Sequence, residues 1–395
     1  MQTARRNIFL LSCCQALLLV NTSGLIAMNA LIGYSLVSNK TFASLGVTTY
    51  VLGSAAATMP ASLWMARVGR RRGFMIGSAI GVVGTLLAAF ALSLGSFPLF
   101  CASTAIMGVY TAFGLQYRFA AAEIAAPAFK AKAISLVLAG GILGGVLGPE
   151  GSRWARDWFA APFVGSFLLL AAIALLALAV QSRVHVPAPS AAERGGGGRS
   201  LAAIVRQPVF VVAALSAAGG YGLMNLLMTA TPLAMSFCSH PYGAAAMVIE
   251  WHVVAMYAPG FVTGSLIARF GALKVIVAGA VLMSGCAVIA LNGITVLHFV
   301  LALMFLGVGW NFMYTGGTTL LTESYHPAER AKTQGANDFI VFAVMGVSSF
   351  SSGALVSAAG WEAMNAAVLP VLVVVAAAAL WLLWLRTQPP ARASA

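Results

Sequence analysis

Four residues in two successive apolar stretches have types and spacings suited to holding a soft metal ion. Met224 and Met228 lie in YGLMNLLMTA, and His252 and Met256 lie in IEWHVVAM. Each pair is spaced i, i+4, which puts both side chains on one face of a helix. Thioethers are poor ligands for Zn²⁺, Fe²⁺ or Mg²⁺ and good ones for Cu(I), and imidazole accepts either oxidation state of copper. Three thioethers and one imidazole carry no negative charge, so copper would be held with moderate strength, as a carrier that must release its cargo requires. Packing is the competing explanation, because the chain has 16 methionines and methionine fills irregular cores. By composition an M-x3-M pair arises roughly 0.6 times by chance and an H-x3-M pair roughly 0.2 times. The histidine carries more weight, since a lone imidazole in hydrocarbon needs a partner.

Composition sets the elements that must position these residues. Of 395 residues, 61% are hydrophobic and 8% charged, with a mean hydropathy of +0.93. A soluble chain carries about 25% charged residues, so this much apolar surface requires a bilayer. Twelve apolar stretches, near 8–34, 46–66, 74–94, 98–121, 132–152, 162–182, 208–236, 244–268, 274–293, 296–320, 335–358 and 363–385, each reach the ~20 residues that cross a membrane as a helix. With the start of the chain in the cytoplasm, 18 of the 22 Lys and Arg residues fall on the cytoplasmic side; Lys40, Arg153 and Arg156 lie outside and Arg118 lies within a span. This positive-inside bias makes the net charge of +13 a report on topology and on contact with anionic lipid, and nucleic acid is excluded as a partner. In that orientation the seventh span runs outward and the eighth inward, and the four candidate ligands fall roughly 10–18 Å below the outer surface, the depth of transporter substrate sites.

The opening residues MQTARRNIFLLSCCQALLLV resemble a signal peptide, but the apolar run continues to about Val37 and reads as an uncleaved first helix. Cys13, Cys14, Cys101, Cys238 and Cys286 show no CxxC spacing and read as buried apolar residues. No GxSxG, P-loop, HExxH or paired-carboxylate pattern is present, so neither an enzyme nor a cofactor is expected.

The spans divide into two sets of six. Residues 1–182 form one bundle, 183–207 a Pro-, Gly- and Arg-rich flexible cytoplasmic linker, and 208–395 the second bundle. Glu123, Pro127, Lys130 and Lys132 reappear 200 positions later as Glu323, Pro327, Arg330 and Lys332, and ARVGRRRGFMIG (66–77) matches ARFGALKVIVAG (268–279) at an offset of 202. This is a parallel repeat. The chain therefore resembles the major facilitator superfamily. RVGRRRG is similar to that family's D-R-x-G-R-[RK] loop, with Ala66 and Ala268 at the Asp position while Arg67 and Arg269 remain. GGILGGVLGPEG (140–151) is similar to the Gly-rich motif common among drug–proton antiporters; its small residues let helices approach closely and Pro149 kinks the end. The resemblance implies an all-α membrane protein of twelve transmembrane helices in two pseudo-symmetric six-helix bundles.

Charges at membrane depth need a reason. Arg118 and Glu123, about a turn apart in span four, are expected to pair and lock a cytoplasmic gate, with Arg67, Arg269, Glu323 and Arg330 around it. Asp338, beside Asn337 at the start of span eleven, reads as a helix-capping or gate residue. Glu250 lies near the outer surface in span eight as a mouth carboxylate or a packing partner. Met235, Cys238 and His240 in MSFCSH would meet an incoming ion first.

A second resemblance is narrower. M-x3-M in span seven followed by H-x3-M in span eight is similar to the CcoA-type copper importers of bacteria. That likeness implies Met224, Met228, His252 and Met256 as copper ligands and copper as the transported substrate, brought into the cytoplasm to supply assembly of cbb3-type cytochrome c oxidase. A cytoplasmic copper chaperone is the implied receiver. A monomer in the bacterial inner membrane with both termini cytoplasmic is expected. The same branch contains riboflavin transporters, so the alternative is a carrier of riboflavin or a drug-like organic solute, with the methionines lining an adaptable pocket.

Overall fold

Hydrocarbon offers backbone N–H and C=O groups no water, so a chain this apolar must satisfy them within helices. The computed structural model describes residues 2–37, 42, 45–187 and 198–388, which places Lys40 and residues 188–197 of the linker outside the described residues. Among those residues the structure is all helix and turn. Ten stretches are long and apolar enough to cross a membrane. The last of them, Pro327–Thr387, holds two spans that join at Gly360 (φ 82°, ψ 170°), and the 24-residue helix Leu45–Val68 completes the twelve. Spans one to three are Gln2–Leu36, Leu45–Val68 and Arg70–Ser93. Span six is Val164–Gln181, and spans seven, nine and ten are Pro208–Phe237, Ala272–Leu291 and Val296–Leu321.

Three spans are interrupted near functional depth. Span four runs Phe97–Gly114, turns at Leu115 and Gln116, and continues as Tyr117–Ile124. Span five breaks at Gly140, between Lys130–Ala139 and Gly141–Trp154, while its second helix is continuous through Pro149. Span eight breaks at Ala258 and Pro259, between Tyr242–Tyr257 and Gly260–Phe270.

The internal repeat is visible in backbone geometry. The 3₁₀ turns Pro127–Phe129 and Pro327–Glu329 stand 200 residues apart, each leading into the next span. Gly69 (φ 92°, ψ 155°) and Gly271 (φ 87°, ψ 153°) stand 202 apart in nearly the same conformation, one that only glycine adopts without strain. All five cysteines are free thiols, with Cys14, Cys101 and Cys286 buried, as their apolar settings predict.

The described ends of the linker are held down. Asn7 and His185 exchange two hydrogen bonds, at 2.7 and 3.1 Å, on the first half. On the second half, Arg199 donates to the Glu329 carboxylate at 2.6 and 2.8 Å and to the Ser324 carbonyl at 3.0 Å. The linker's described ends are thus each tied to a bundle, one through Asn7 and the other through the Arg199–Glu329 pair.

Nothing lies within 4 Å of a Cβ placed on Gly271 or on Gly243, yet the first has positive φ and the second is helical. Gly271→Ala is expected to destabilise the protein by about 1–3 kcal/mol, whereas Gly243→Ala is neutral or slightly stabilising. Thermal unfolding of the two variants in detergent checks the contrast.

Candidate functional site

Polar contacts between the halves gather at the end that carries Arg67, Arg70, Arg71, Arg72, Lys130 and Lys132, called here the basic end. From the first half, Arg70 donates to both oxygens of Glu123, at 3.2 and 2.6 Å, to Gln116 at 2.9 Å and, across the interface, to Gln334 at 2.6 Å. Arg330 of the second half approaches Glu123 at 3.5 Å. Deeper in, Arg118 is ion-paired with Asp338 across the interface. The Asp338 carboxylate also accepts from Gln116 at 3.2 Å and from Asn337 at 3.1 Å. Arg118 and Asp338 are 2% and 1% exposed, so neither charge has water to lean on. On the flanks, Ser62 donates to the Ala331 carbonyl at 2.8 Å and Ser135 to the Gly260 carbonyl. Farther from the basic end, Gly346 of span eleven lies against Val51 of span two.

An aromatic cluster stands beside this gate at mid-depth. Tyr221 comes from span seven, Tyr257 from eight, Trp310 and Tyr314 from ten, and Phe342 from eleven. Tyr221 sits thirteen residues into Pro208–Phe237, about 20 Å along the helix. Trp310 and Tyr314, one turn apart, stack at 5.3 Å with 16° between ring planes. Tyr221 meets both edge-on at 5.4 and 5.2 Å, Tyr257 meets Trp310 at 5.6 Å, and Phe342 lies 6.4 Å from Tyr221. The Arg118 guanidinium covers the Tyr314 ring at 4.5 Å, which joins gate and cluster by a cation–π contact. Tyr221 is the one member of the five that is only partly buried; the other four are buried.

The residues selected from sequence have mixed fates. Arg118 and Glu123 do not pair with each other. Five residues apart, they point about 140° apart around a helix; Arg118 takes Asp338 instead, and Glu123 takes Arg70 and Arg330. Arg330 does bridge the halves. Arg67 and Arg269 are exposed, the latter lying over its neighbour Phe270, and the loop arginine that enters the gate is Arg70. Glu323 pairs with Arg386 at 2.7 Å within the second half and does not reach the first. Asp338, expected as a capping or gate residue, lies buried where the halves meet.

His252 is fully buried. Its Nδ1 donates to the Leu303 carbonyl of span ten at 2.7 Å, so Nδ1 carries the proton and Nε2 is an acceptor, which has no partner among the described residues. Met256 is also bound to span ten, its carbonyl accepting from Asn311 at 2.7 Å. Met224 and Met256 are buried in the apolar core and Met228 lies partly buried against it. At the mouth, His240 donates its backbone N–H to the Met235 carbonyl at 3.0 Å, and its Nε2 lies 2.6 Å from the Ile294 carbonyl; with half-buried Cys238 these residues close off the end of span seven. Glu250 is exposed.

Gln116, Gln334 and the five aromatic residues were not picked out from sequence. Asp338→Ala would leave Arg118 buried without a counter-charge, at a cost of about 3–5 kcal/mol, whereas replacing both residues with leucine should recover most of that loss. Denaturant unfolding of the two variants in micelles measures the difference.

Comparison with known proteins then bears on what the site carries. The family model described as Major Facilitator Superfamily matches residues 11–256 and 218–395. The riboflavin transporter RfnT of Brucella anthropi is 41% identical over 377 residues, 94% of each chain. YdeG of Bacillus subtilis, an uncharacterised MFS-type transporter, is 30% identical over 91% of this chain and 88% of its own. The proton:xylose symporter XylE bound to 6-bromo-6-deoxy-D-glucose superposes with a TM-score of 0.82, covering 98% of this chain and 96% of that one at 14% identity, a likeness of fold alone. These findings overturn the copper reading: the relative that matches nearly the whole chain is a riboflavin transporter, and the copper-importer branch, metal binding and oxidase supply are withdrawn with it. The methionine spacing misled because i, i+4 fixes a shared helix face but not what that face meets. With both halves matched by the family model and this identity to a known transporter, the chain belongs to the Major Facilitator Superfamily, a family of transporters and not of enzymes.

Proposed function

We propose that this chain carries riboflavin, or a solute closely like it, across the membrane by alternating access of its two halves. The observation that supports this most is the mid-depth aromatic cluster, of which Tyr221 is the partly exposed member. A flavin presents a wide, flat ring system with little charge, and aromatic side chains favour such partners by stacking and edge contacts. Tyr221, Met224 and Met228 follow one another at i, i+3 and i+7, so they share a helix face. That face leads from the cluster toward the non-basic end, and its thioethers would adapt to a large ligand. The 41% identical riboflavin transporter agrees with this reading.

The positive-inside bias puts the basic end, both chain termini and the linker in the cytoplasm, with a bacterial inner membrane as the setting. The bonds between Arg118 and Asp338, and between Arg70 and Gln334, then seal the cytoplasmic side. In this arrangement the 1–182 and 208–395 bundles rock about the site as a monomer, and the direction is uptake.

Purified protein in proteoliposomes should accumulate riboflavin. Tyr221→Ala is expected to weaken its apparent affinity on the order of tenfold, equal to about 1.4 kcal/mol, and Tyr221→Phe should retain it. Vesicles that take up no riboflavin would sink the proposal.

A further inference from the structure

Two hydrogen-bond donors at the centre of the protein are buried with no acceptor among the described residues: Nε1 of Trp310 and Nε of Arg118. Their residues are 1% and 2% exposed. Buried donors in native proteins are normally satisfied, so each exception needs an explanation. Both residues contact one ring. Tyr314 stacks on Trp310 at 5.3 Å, and the Arg118 guanidinium sits 4.5 Å from the Tyr314 centroid. Local charge is balanced, because Arg118 is paired with Asp338. The centre therefore offers unsatisfied N–H groups beside aromatic surface and no net positive charge.

We infer that Trp310 and Arg118 select a flavin by donating hydrogen bonds to acceptor atoms on the edge of its ring system, and that the balanced Arg118–Asp338 pair restricts the site to the uncharged flavin. This rests on the flavin reading above and deepens it. The tricyclic ring carries two carbonyl oxygens and two bare ring nitrogens, all acceptors, and a single N–H. Donors that are unpaired in the protein alone become satisfied when such an edge arrives, and a ring lacking the matching acceptor leaves them unpaired. A phosphate ester would bring about two negative charges into a site with no net positive charge, and burying an uncompensated charge is strongly opposed.

The test is competition for uptake by the full chain in proteoliposomes. The competitors are riboflavin, its 1-deaza, 5-deaza, 2-thio and 4-thio analogues, and riboflavin 5′-phosphate. Trp310→Phe keeps the ring surface and removes the N–H. We expect it to weaken riboflavin about tenfold, while the analogue that lacks the paired acceptor, already about tenfold weaker on the unaltered chain, loses nothing further. The phosphate ester should compete at least about tenfold more weakly than riboflavin.

Unchanged affinity in Trp310→Phe, or an equal loss for every ligand, would overturn the hydrogen-bond assignment. Phosphate competing as well as riboflavin would overturn the charge argument. Should Trp310→Phe fail to reconstitute, the analogue series on the unaltered chain decides alone, and equal competition by all four analogues rejects the inference. An unaltered chain that takes up no riboflavin is a different result: it removes the transport reading beneath this one.

Discussion

The ion pair between Arg118 and Asp338 is the constraint around which the rest of the molecule is arranged. Two opposite charges inside an apolar bundle are tolerated only in contact, because stripping either of water costs several kcal/mol. Each half supplies one of them. The pair can form only where the fourth and eleventh spans meet, which is what the closed basic end accomplishes. The interruption of span four at Leu115 and Gln116 puts Gln116 and Arg118 within reach of the same carboxylate, and the rings of Phe119 and Tyr314 cover the guanidinium. Structure this close to the pair has little freedom to vary.

The tenth span is the second organising element. Its Trp310 and Tyr314 form the centre of the aromatic cluster, while its neighbouring face binds the eighth span through the Leu303 carbonyl and through Asn311, which donates to Met256 and accepts from Thr263 at 2.7 Å. Gly307 allows that contact: a Cβ there would fall 2.9 Å from the His252 carbonyl oxygen and from the Met256 nitrogen. Three of the aromatic residues, Tyr257, Trp310 and Tyr314, thus belong to helices fastened to each other in the second half, and the first half contributes the cation. Arg118 thus touches both the inter-bundle ion pair and the aromatic cluster, which couples the two by direct contact.

How much of this could be read in the chain follows from which signals are local. Span positions were legible because hydrocarbon thickness fixes helix length, and every expected span finds its helix within a few residues. The repeat was legible too, down to Gly69 and Gly271, since a glycine that must take positive φ leaves a mark in sequence. The gate was half legible. Arg118, Glu123, Arg330 and Asp338 stand out as charges in apolar surroundings, but which acid meets which base depends on how separate helices are placed. Tyr221, Trp310 and Tyr314 gave no such mark, because an aromatic residue in an apolar helix looks the same whether it faces a cavity, a neighbour or lipid. Met224, Met228, His252 and Met256 gave a mark that pointed to the wrong cargo.

Glu123 has a partner in each bundle, Arg70 in its own and Arg330 across the divide, whereas Asp338 is ion-paired with Arg118, on the far side. Parting the bundles therefore affects the two carboxylates differently. At the rim Glu123 lets go of Arg330 and is still neutralised, so no bare charge is created. A turn or so deeper, separation strands both members of the pair. Unfastening is thus easier at the edge than at the root, where the pair lies against the aromatic cluster.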